Sequence, residues 1–324
     1  MMKCFGVVVL LIAATGEGFY GLVVQLIDGM HIENIIGLNN LYRLLLLLPI
    51  VLFSGSRMLY DRKTMLILLL RGILGSLALS LLTYSYTLLP IGDAASLYFC
   101  SPLYTMLFSI CLLKHRCKPA DVLAVLLCLL GVVLLYKPAF LFTDQTNHSE
   151  EVLKSRLFGA MIATCGALCD ALLFVCSNSL CKVHYSVISF YTVLCTVVPW
   201  TLTLVVKGIP TNFSKCSNNN LYLIFLAVFG VVILLTLNRG LQLISPGPAS
   251  IIFSMAIPIG FLVQVFIKGN PITLISGVGA LAIFTSVLIS ISFGCTCFCE
   301  ALDSSLFVEY IMKLKHYIRI LPYS

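Results

Sequence analysis

The stretch Arg71–Lys118 decides how this chain folds: RGILGSLALSLLTYSYTLLPIGDAASLYFCSPLYTMLFSICLLKHRCK. It holds two apolar segments, 72–89 and 94–113, joined by the turn Leu89-Pro90-Ile91-Gly92-Asp93-Ala94. Each segment is about 20 residues long, enough for a helix to cross a hydrocarbon core of roughly 30 Å. Arg71 opens the first segment, Asp93 starts the second, and Lys114, Arg116 and Lys118 close the pair. Pro90 and Gly92 supply the turn. Asp93, directly before Ala94, reads as the N-cap of the second helix, a position compatible with a role in a site.

Composition extends this reading to the whole chain. Of 324 residues, 60% are hydrophobic and only 10% charged, with a mean hydropathy of +1.06. A soluble domain carries about 25% charged residues, so the chain is an all-α membrane protein solvated by a lipid bilayer. Ten apolar segments follow one another at about 4–27, 35–54, 64–88, 93–114, 119–136, 157–180, 185–206, 220–243, 248–268 and 271–293. Backbone groups cannot go unpaired in lipid, so the segments are expected to be helices. The second is the weakest, interrupted by Arg43 and Pro49. The first has a competing reading, a secretory signal peptide cleaved near Ala13-Ala14-Thr15-Gly16. A retained helix is favoured because the apolar run continues through Phe19-Tyr20-Gly21-Leu22-Val23-Val24.

The residues Arg71-Gly72, Gly75-Ser76, Tyr84, Tyr86, Pro90-Ile91-Gly92-Asp93-Ala94 and Ser101-Pro102 together resemble the first-repeat signature of the drug/metabolite transporter superfamily. Within it they are most similar to the EamA-like branch that includes the solute carrier family 35 member G proteins. The resemblance covers roughly residues 4–293. It implies ten transmembrane helices as two inverted five-helix repeats, and dimer contacts, where a homodimer forms, through the fifth and tenth helices. One departure is clear. Many relatives carry an acid after the leucine-lysine that ends the fourth span, whereas here Lys114 is followed by His115.

The sequence itself hints at the duplication. A displacement of 154 residues sets Ala95-Ser96-Leu97 on Ala249-Ser250-Ile251 and Leu113-Lys114 on Ile267-Lys268. Five helices is an odd number, so the second copy would enter the membrane upside down, with a substrate site at mid-membrane between the halves. The expected organisation is a first repeat over 1–136, an outer loop over 137–156, a second repeat over 157–293 and a tail over 294–324.

Orientation follows from charge. With both termini cytoplasmic, twelve Lys and Arg residues fall in inside segments and six in outside loops. That bias obeys the positive-inside rule, and it reads the +7 net charge as membrane orientation rather than as a nucleic-acid surface. The sequons at Asn147 and Asn212 both fall in the two longest outer loops, where glycosylation is expected. The membrane is either the plasma membrane or an internal one.

Ionisable groups inside spans are costly and mark function or pairing. Glu17, Arg43, Arg71 and Asp170 lie within spans, and Arg239 lies near the inner end of the eighth. The arginines either face the interior or reach back to a headgroup. Asp170 shares a helix face with Gly166 and Ala163 and is either a substrate group or the partner of an arginine. Small residues recur every fourth position at Gly72, Ser76 and Ser80, at Ala120, Ala124 and Cys128, and at Gly159, Ala163, Ala167 and Ala171, which suits close helix packing.

The fourteen cysteines form no disulfide framework, and no histidine or second cysteine pair completes a metal site beside Cys295, Cys297 and Cys299. These three, just after the last span, are expected to be either palmitoylated or simply free thiols. Phe307, Tyr310, Ile311, Leu314, Tyr317, Ile318 and Leu321 form a helical stripe, an amphipathic tail on the cytoplasmic leaflet.

No Gly-x-Ser-x-Gly, His-Glu-x-x-His, P-loop or Rossmann pattern is present, so neither an enzyme nor a cofactor is indicated. The reading is a secondary transporter of a small polar metabolite, an organic anion, working by alternating access. Arg71, Arg239, Tyr84, Tyr86 and Ser101 are the expected substrate-binding residues, and Glu17 and Asp170 the proton-coupling ones. The alternative from another class is a membrane regulatory or scaffold protein, whose interior charges would be paired off.

Overall fold

In the computed structural model, residues 2–25, 27, 32–89, 91–113, 118–137, 150–207, 217–268 and 273–294 are described. Among them every regular element is helical. The helices are α1 (Met2–Gln25), α2 (Ile32–Phe53), α3 (Arg62–Leu88), α4 (Ile91–Tyr98), α5 (Ser101–Leu113), α6 (Pro119–Tyr136), α7 (Glu150–Asn178), α8 (Tyr185–Lys207), α9 (Ser217–Leu243), α10 (Pro246–Phe253), α11 (Ala256–Lys268) and α12 (Leu274–Ile289), the last extended by a π turn at Ser290–Gly294. Nine stretches of the described residues are long and apolar enough to span a membrane, and the apolar run Cys4–Tyr20 in α1 is shorter. The chain is a multi-pass integral membrane protein. Its outside is hydrocarbon: along α3, Leu66, Leu69, Ile73 and Leu77 are exposed while Ile67, Leu68 and Arg71 are buried.

Two of the expected spans are not continuous. The fourth is broken between α4 and α5, and the ninth between α10 and α11. The cause is covalent. A proline ring clashes with the carbonyl four residues earlier and removes one backbone donor. Pro102 acts in this way on Tyr98, and Pro258 on Ser254, and the breaks fall at Phe99–Cys100 and Ser254–Met255. Short i→i+3 bonds bridge them, Cys100 N to Leu97 O at 3.3 Å and Met255 N to Ile252 O at 3.2 Å. The expected N-cap at Asp93 also shifts. The helix opens at Ile91, so Asp93 lies inside its first turn, buried, where a carboxylate favours the positive end of the helix dipole.

The packing pattern shows the two-fold exchange of halves. α1 packs on α9 and α3 on α7; α4 and α5 pack on α7, and α10 and α11 on α1. Each of these pairs becomes the other when the five spans of one half replace those of the other. α2 with α8 and α6 with α12 map onto themselves. The α6–α12 pair is antiparallel, as inversion requires. Lys118 Nζ at the start of α6 donates to Phe293 O at 3.1 Å, and Lys137 at its end reaches Thr273 Oγ1 at the start of α12.

Small residues make these crossings tight. Ala163, Ala167 and Ala171 are fully buried on α7, as are Ala124 and Cys128 on α6, so these stripes serve packing within the chain. At the α6–α12 crossing, Gly131 and Gly279 meet face to face. A Cβ on Gly131 would sit 2.7 Å from Gly279 O, and one on Gly279 would sit 2.8 Å from Gly131 O.

The apolar interior is thickest at the end of the bundle where α1 begins. Val7 and Leu10, Phe174, Leu241, Ile251, Ile252, Val125 and Val287 form one cluster there. Every residue from Gly240 to Ile252 is buried. α1 is part of this interior, with Leu10, Ala13 and Ala14 fully buried. The expected tail helix, the Cys295, Cys297 and Cys299 cluster and the sequons at Asn147 and Asn212 lie outside the described residues.

The glycine crossing yields a prediction. Gly131→Leu meets the Ile283 side chain and, within 3.0 Å, two backbone atoms that cannot turn aside, Gly279 O and Ile283 N, an overpacking cost of about 1–3 kcal/mol or more. The purified variant is expected to melt several degrees lower than wild type in detergent, while Gly277→Ala, where a Cβ meets nothing within 4 Å, is expected to melt like wild type. Equal melting of all three would show that the crossing is not tight.

Candidate functional site

The break in the fourth span places polar groups at mid-bundle. Tyr98 is the last residue of α4 and Ser101 the first of α5. Both turn toward α7, where the Ser101 hydroxyl and the Tyr98 phenol face the Asp170 carboxylate. Gly166, one turn from Asp170, makes room for the Tyr98 ring, whose Cδ2 lies 3.3 Å from where a Cβ would be. Phe99 holds this corner from behind, edge-on to Tyr98 at 5.6 Å between centroids and stacked on Tyr136 at 5.8 Å. Tyr86 is within electrostatic reach of both Tyr98 and Tyr136 and so belongs to the same wall.

Glu17 faces this group from α1. Gly16 packs against Ile233 of α9 and Gly18 against α11, which fixes Glu17 between those contacts. Its side chain is exposed, yet it acts electrostatically on Asp170, Tyr98 and Tyr20 and is acted on by Arg43. It is thus accessible while within electrostatic reach of groups on α1, α2, α4 and α7.

Arg71 is nearby but committed elsewhere. It is only 1% exposed, and three of its nitrogens donate to neutral oxygens. Nε donates to Ser177 Oγ at 2.7 Å, Nη1 to Thr192 Oγ1 at 2.5 Å and Nη2 to Asn238 Oδ1. Asn238 in turn donates from Nδ2 to Ser189 Oγ at 2.7 Å. The guanidinium thus ties α3 to α7, α8 and α9. Asp170 acts on it electrostatically, but the acceptors of the three guanidinium nitrogens are Ser177, Thr192 and Asn238, so the alternative of a closed Asp170–arginine pair does not describe the geometry.

Two expected site residues are not brought in. Tyr84 is 51% exposed, because it lies two residues from Tyr86 and therefore on nearly the opposite face of α3. Arg239 is also exposed. Its guanidinium lies 5.9 Å from the Tyr185 ring centre, and Nη1 reaches Gln242 Oε1 at 3.4 Å, which places it at the margin of the bundle beside the α7–α8 turn. Tyr98, Asn238, Thr192 and Ser177 are the residues that sequence reasoning missed. Their signal lay in the Ser101-Pro102 break for Tyr98. The other three are small polar residues in apolar spans and carried no signal that set them apart.

The sequence profile of the EamA-like transporter family matches residues 4–137 and 157–292, nearly the whole chain in two copies. The chain belongs to the EamA-like transporter family. This EamA-like chain is 28% identical to solute carrier family 35 member G1 of Homo sapiens over 266 residues, covering 82% of the chain and 73% of that protein. It is 30% identical over 114 residues to the pseudopaline exporter CntI of Pseudomonas aeruginosa, covering 35% of the chain and 40% of that protein. A solved crystal structure with 16% sequence identity superposes with a TM-score of 0.70 over 89% of the chain and 96% of its own, which shows a shared fold.

Two predictions arise here. Arg71→Ala strands three buried acceptors and is expected to cost about 3 kcal/mol or more, a fall of roughly 6–12 °C in melting temperature in detergent. Arg71→Lys is expected to recover little, since one ammonium cannot reach acceptors on three helices; full recovery would contradict the tie. The second concerns His184, in the turn before α8. Burial, and next the Arg239 cation, lower its pKa from the ordinary 6.5. Its Nδ1 lies 2.6 Å from Ser186 Oγ and accepts from Ser186 N at 3.4 Å. A base with a lowered folded pKa binds fewer protons folded than unfolded, so stability falls as pH drops below about 6.5. Melting temperature is expected to decrease from pH 7.5 to 5.5 and to decrease less in His184→Asn; an identical slope in the two proteins would rule the imidazole out as the cause.

Proposed function

We propose that this chain is a secondary transporter that moves a small polar metabolite, an organic anion, by alternating access. The observation that carries the reading is the pair of proline-made helix breaks related by the exchange of halves, one of which presents Tyr98 and Ser101 to Asp170. Discontinuous helices at the repeat interface free polar groups at mid-membrane, where a passing solute can meet them. The interior is asymmetric in support of this. The end where α1 begins is filled by the Val7, Leu10, Phe174, Ile251 and Ile252 cluster, while Glu17, further along α1, is accessible. That is the expected shape of a carrier open to one side only.

The positive-inside bias supports placing the filled end in the cytoplasm, together with both termini, so that the open side is external or lumenal. Tyr86, Tyr98 and Ser101 offer hydroxyls to the solute. Asp170 and Glu17 are the carboxylates for a coupled proton. Arg71, with a protein acceptor on each of its three nitrogens, serves as a frame that holds α7 and α9 beside the site rather than as a contact. Membership of a transporter family supports this reading, and one relative, CntI, is named as an exporter. The substrate-binding roles expected for Tyr84 and Arg239 find no support in their positions. A scaffold would have no use for an accessible carboxylate facing a helix break.

The test is uptake by proteoliposomes of purified protein over a panel of organic anions, nucleotide sugars and amino acids, with and without a pH gradient. Saturable uptake is expected for an anionic member. Asp170→Asn is expected to reduce it about tenfold or more and to abolish its response to the gradient, while melting near the wild-type temperature. Unchanged, gradient-dependent uptake in Asp170→Asn would remove Asp170 from the mechanism. Absence of uptake across the panel by folded protein would favour the scaffold.

A further inference from the structure

We propose that Arg43, with Tyr20 and Asn39, forms a subsite for an oxyanion, a carboxylate or phosphate group of the transported solute. The proposal rests on the organic-anion reading above and names the cation that the reading requires. The two intramembrane arginines are in opposite states. Each of the three Arg71 nitrogens has a protein oxygen as acceptor. Arg43, in the middle of α2, has a buried Nε with no hydrogen-bond partner. Buried donors in native structures are nearly always satisfied, so an orphan of this kind calls for a missing partner. A guanidinium presents its N–H groups in a planar fork that suits two oxygens of one anion.

The surroundings hold this cation in place without satisfying it. Its Cζ lies 4.9 Å from the centre of the Tyr20 ring, a cation–π contact. Its Nη2 occupies the space where a side chain on Gly230 of α9 would begin. One turn along α2, Asn39 is fully buried and donates from Nδ2 to the Tyr20 hydroxyl. That hydroxyl keeps its own proton to donate. The Asn39 Oδ1 is also buried without a partner. A corner with two donors to offer, the Arg43 Nε and the Tyr20 hydroxyl, and one unpartnered acceptor therefore sits between α1, α2 and α9.

The corner opens onto the site described above through Glu17. The accessible Glu17 carboxylate is the anionic group that acts on Arg43. It has the same charge as the proposed solute group, so the two compete for one guanidinium. Removing the Glu17 charge should strengthen binding of an anion, whereas removing the Arg43 charge should weaken it. A purely structural arginine would not produce opposite effects on ligand affinity.

The experiment uses full-length protein in proteoliposomes with radiolabelled succinate and inorganic phosphate as separate probes, and choline as the cationic control. Wild type is expected to take up at least one anion saturably. Arg43→Gln is expected to raise its half-saturating concentration about tenfold or more, Arg43→Lys to fall between, and Glu17→Gln to lower it several-fold. Gly230→Ala, which keeps the charge but displaces the guanidinium, is expected to weaken uptake and decides the matter if Arg43→Gln fails to fold. Succinate against phosphate identifies the oxyanion. If wild type takes up an anion and Arg43→Gln and Gly230→Ala do so with unchanged half-saturation, the subsite is overturned and the organic-anion reading stands. If wild type takes up choline and neither anion, or takes up none of the three, the subsite is overturned and the organic-anion reading loses its support with it.

Discussion

A full positive charge buried to 1% exposure inside a membrane bundle is the constraint around which this structure is arranged. The cost of dehydrating Arg71 is met by oxygens fixed in advance on three helices. All three acceptors, Ser177, Thr192 and Asn238, come from the second half of the chain, while Arg71 comes from the first. The hydroxyls are themselves anchored, Ser177 donating to Leu173 O at 2.7 Å and Thr192 to Ile188 O at 2.8 Å. Each therefore has its lone pairs turned to the guanidinium. The joint works only if α3, α7, α8 and α9 keep their relative positions, so these helices form the part of the bundle least able to shear.

The two spans that a proline breaks lie outside this group of four, while Pro199 sits within the unbroken α8. Pro102 and Pro258 interrupt the fourth and ninth spans at corresponding points of the two halves. A continuous helix in lipid resists bending because each of its backbone bonds would have to be replaced by nothing. A helix already broken, with short turns at Cys100 and Met255, has a place to bend without losing further bonds. The same break aims Tyr98 and Ser101 at Asp170. One feature of covalent geometry thus supplies both a break in the helix and a set of polar groups.

Much of the fold was legible in the sequence because membrane solvation leaves few options. The run from Thr64 to Leu88 can only be a helix in hydrocarbon, and the placement of Lys and Arg orders it and the other spans across the bilayer. The helix breaks were less legible. Ser101-Pro102 was visible as a motif, but whether a proline kinks, breaks or merely starts a turn depends on what satisfies the freed carbonyl, which lies elsewhere in the chain. The site was half legible. Asp170 is faced by Ser101, with Glu17 and Tyr86 within electrostatic reach of the same group, and a charge or hydroxyl in an apolar span is conspicuous. Tyr84 and Arg239 do not join them, because their direction depends on helix phase and on where the span ends. Arg71 and Arg43 looked alike in sequence, each an arginine near the end of an apolar run. Only the neighbours separate them: three fixed acceptors for one, a ring and an accessible carboxylate for the other.

That division of labour between two arginines has a physical logic. A cation that must hold helices together should be saturated, since any group it released to bind a solute would loosen the frame. A cation that must meet a solute should be unsaturated but kept in place, which an aromatic face and a glycine notch achieve without consuming its donors. Asp170 is subject to the same logic. Had it closed onto Arg71, both charges would be cancelled and the mid-bundle would be inert. Instead Arg71 is filled by neutral oxygens and Asp170 is faced by hydroxyls, which can turn to donate or to accept. Neutral partners leave the carboxylate free to change its charge without breaking the joint between the halves.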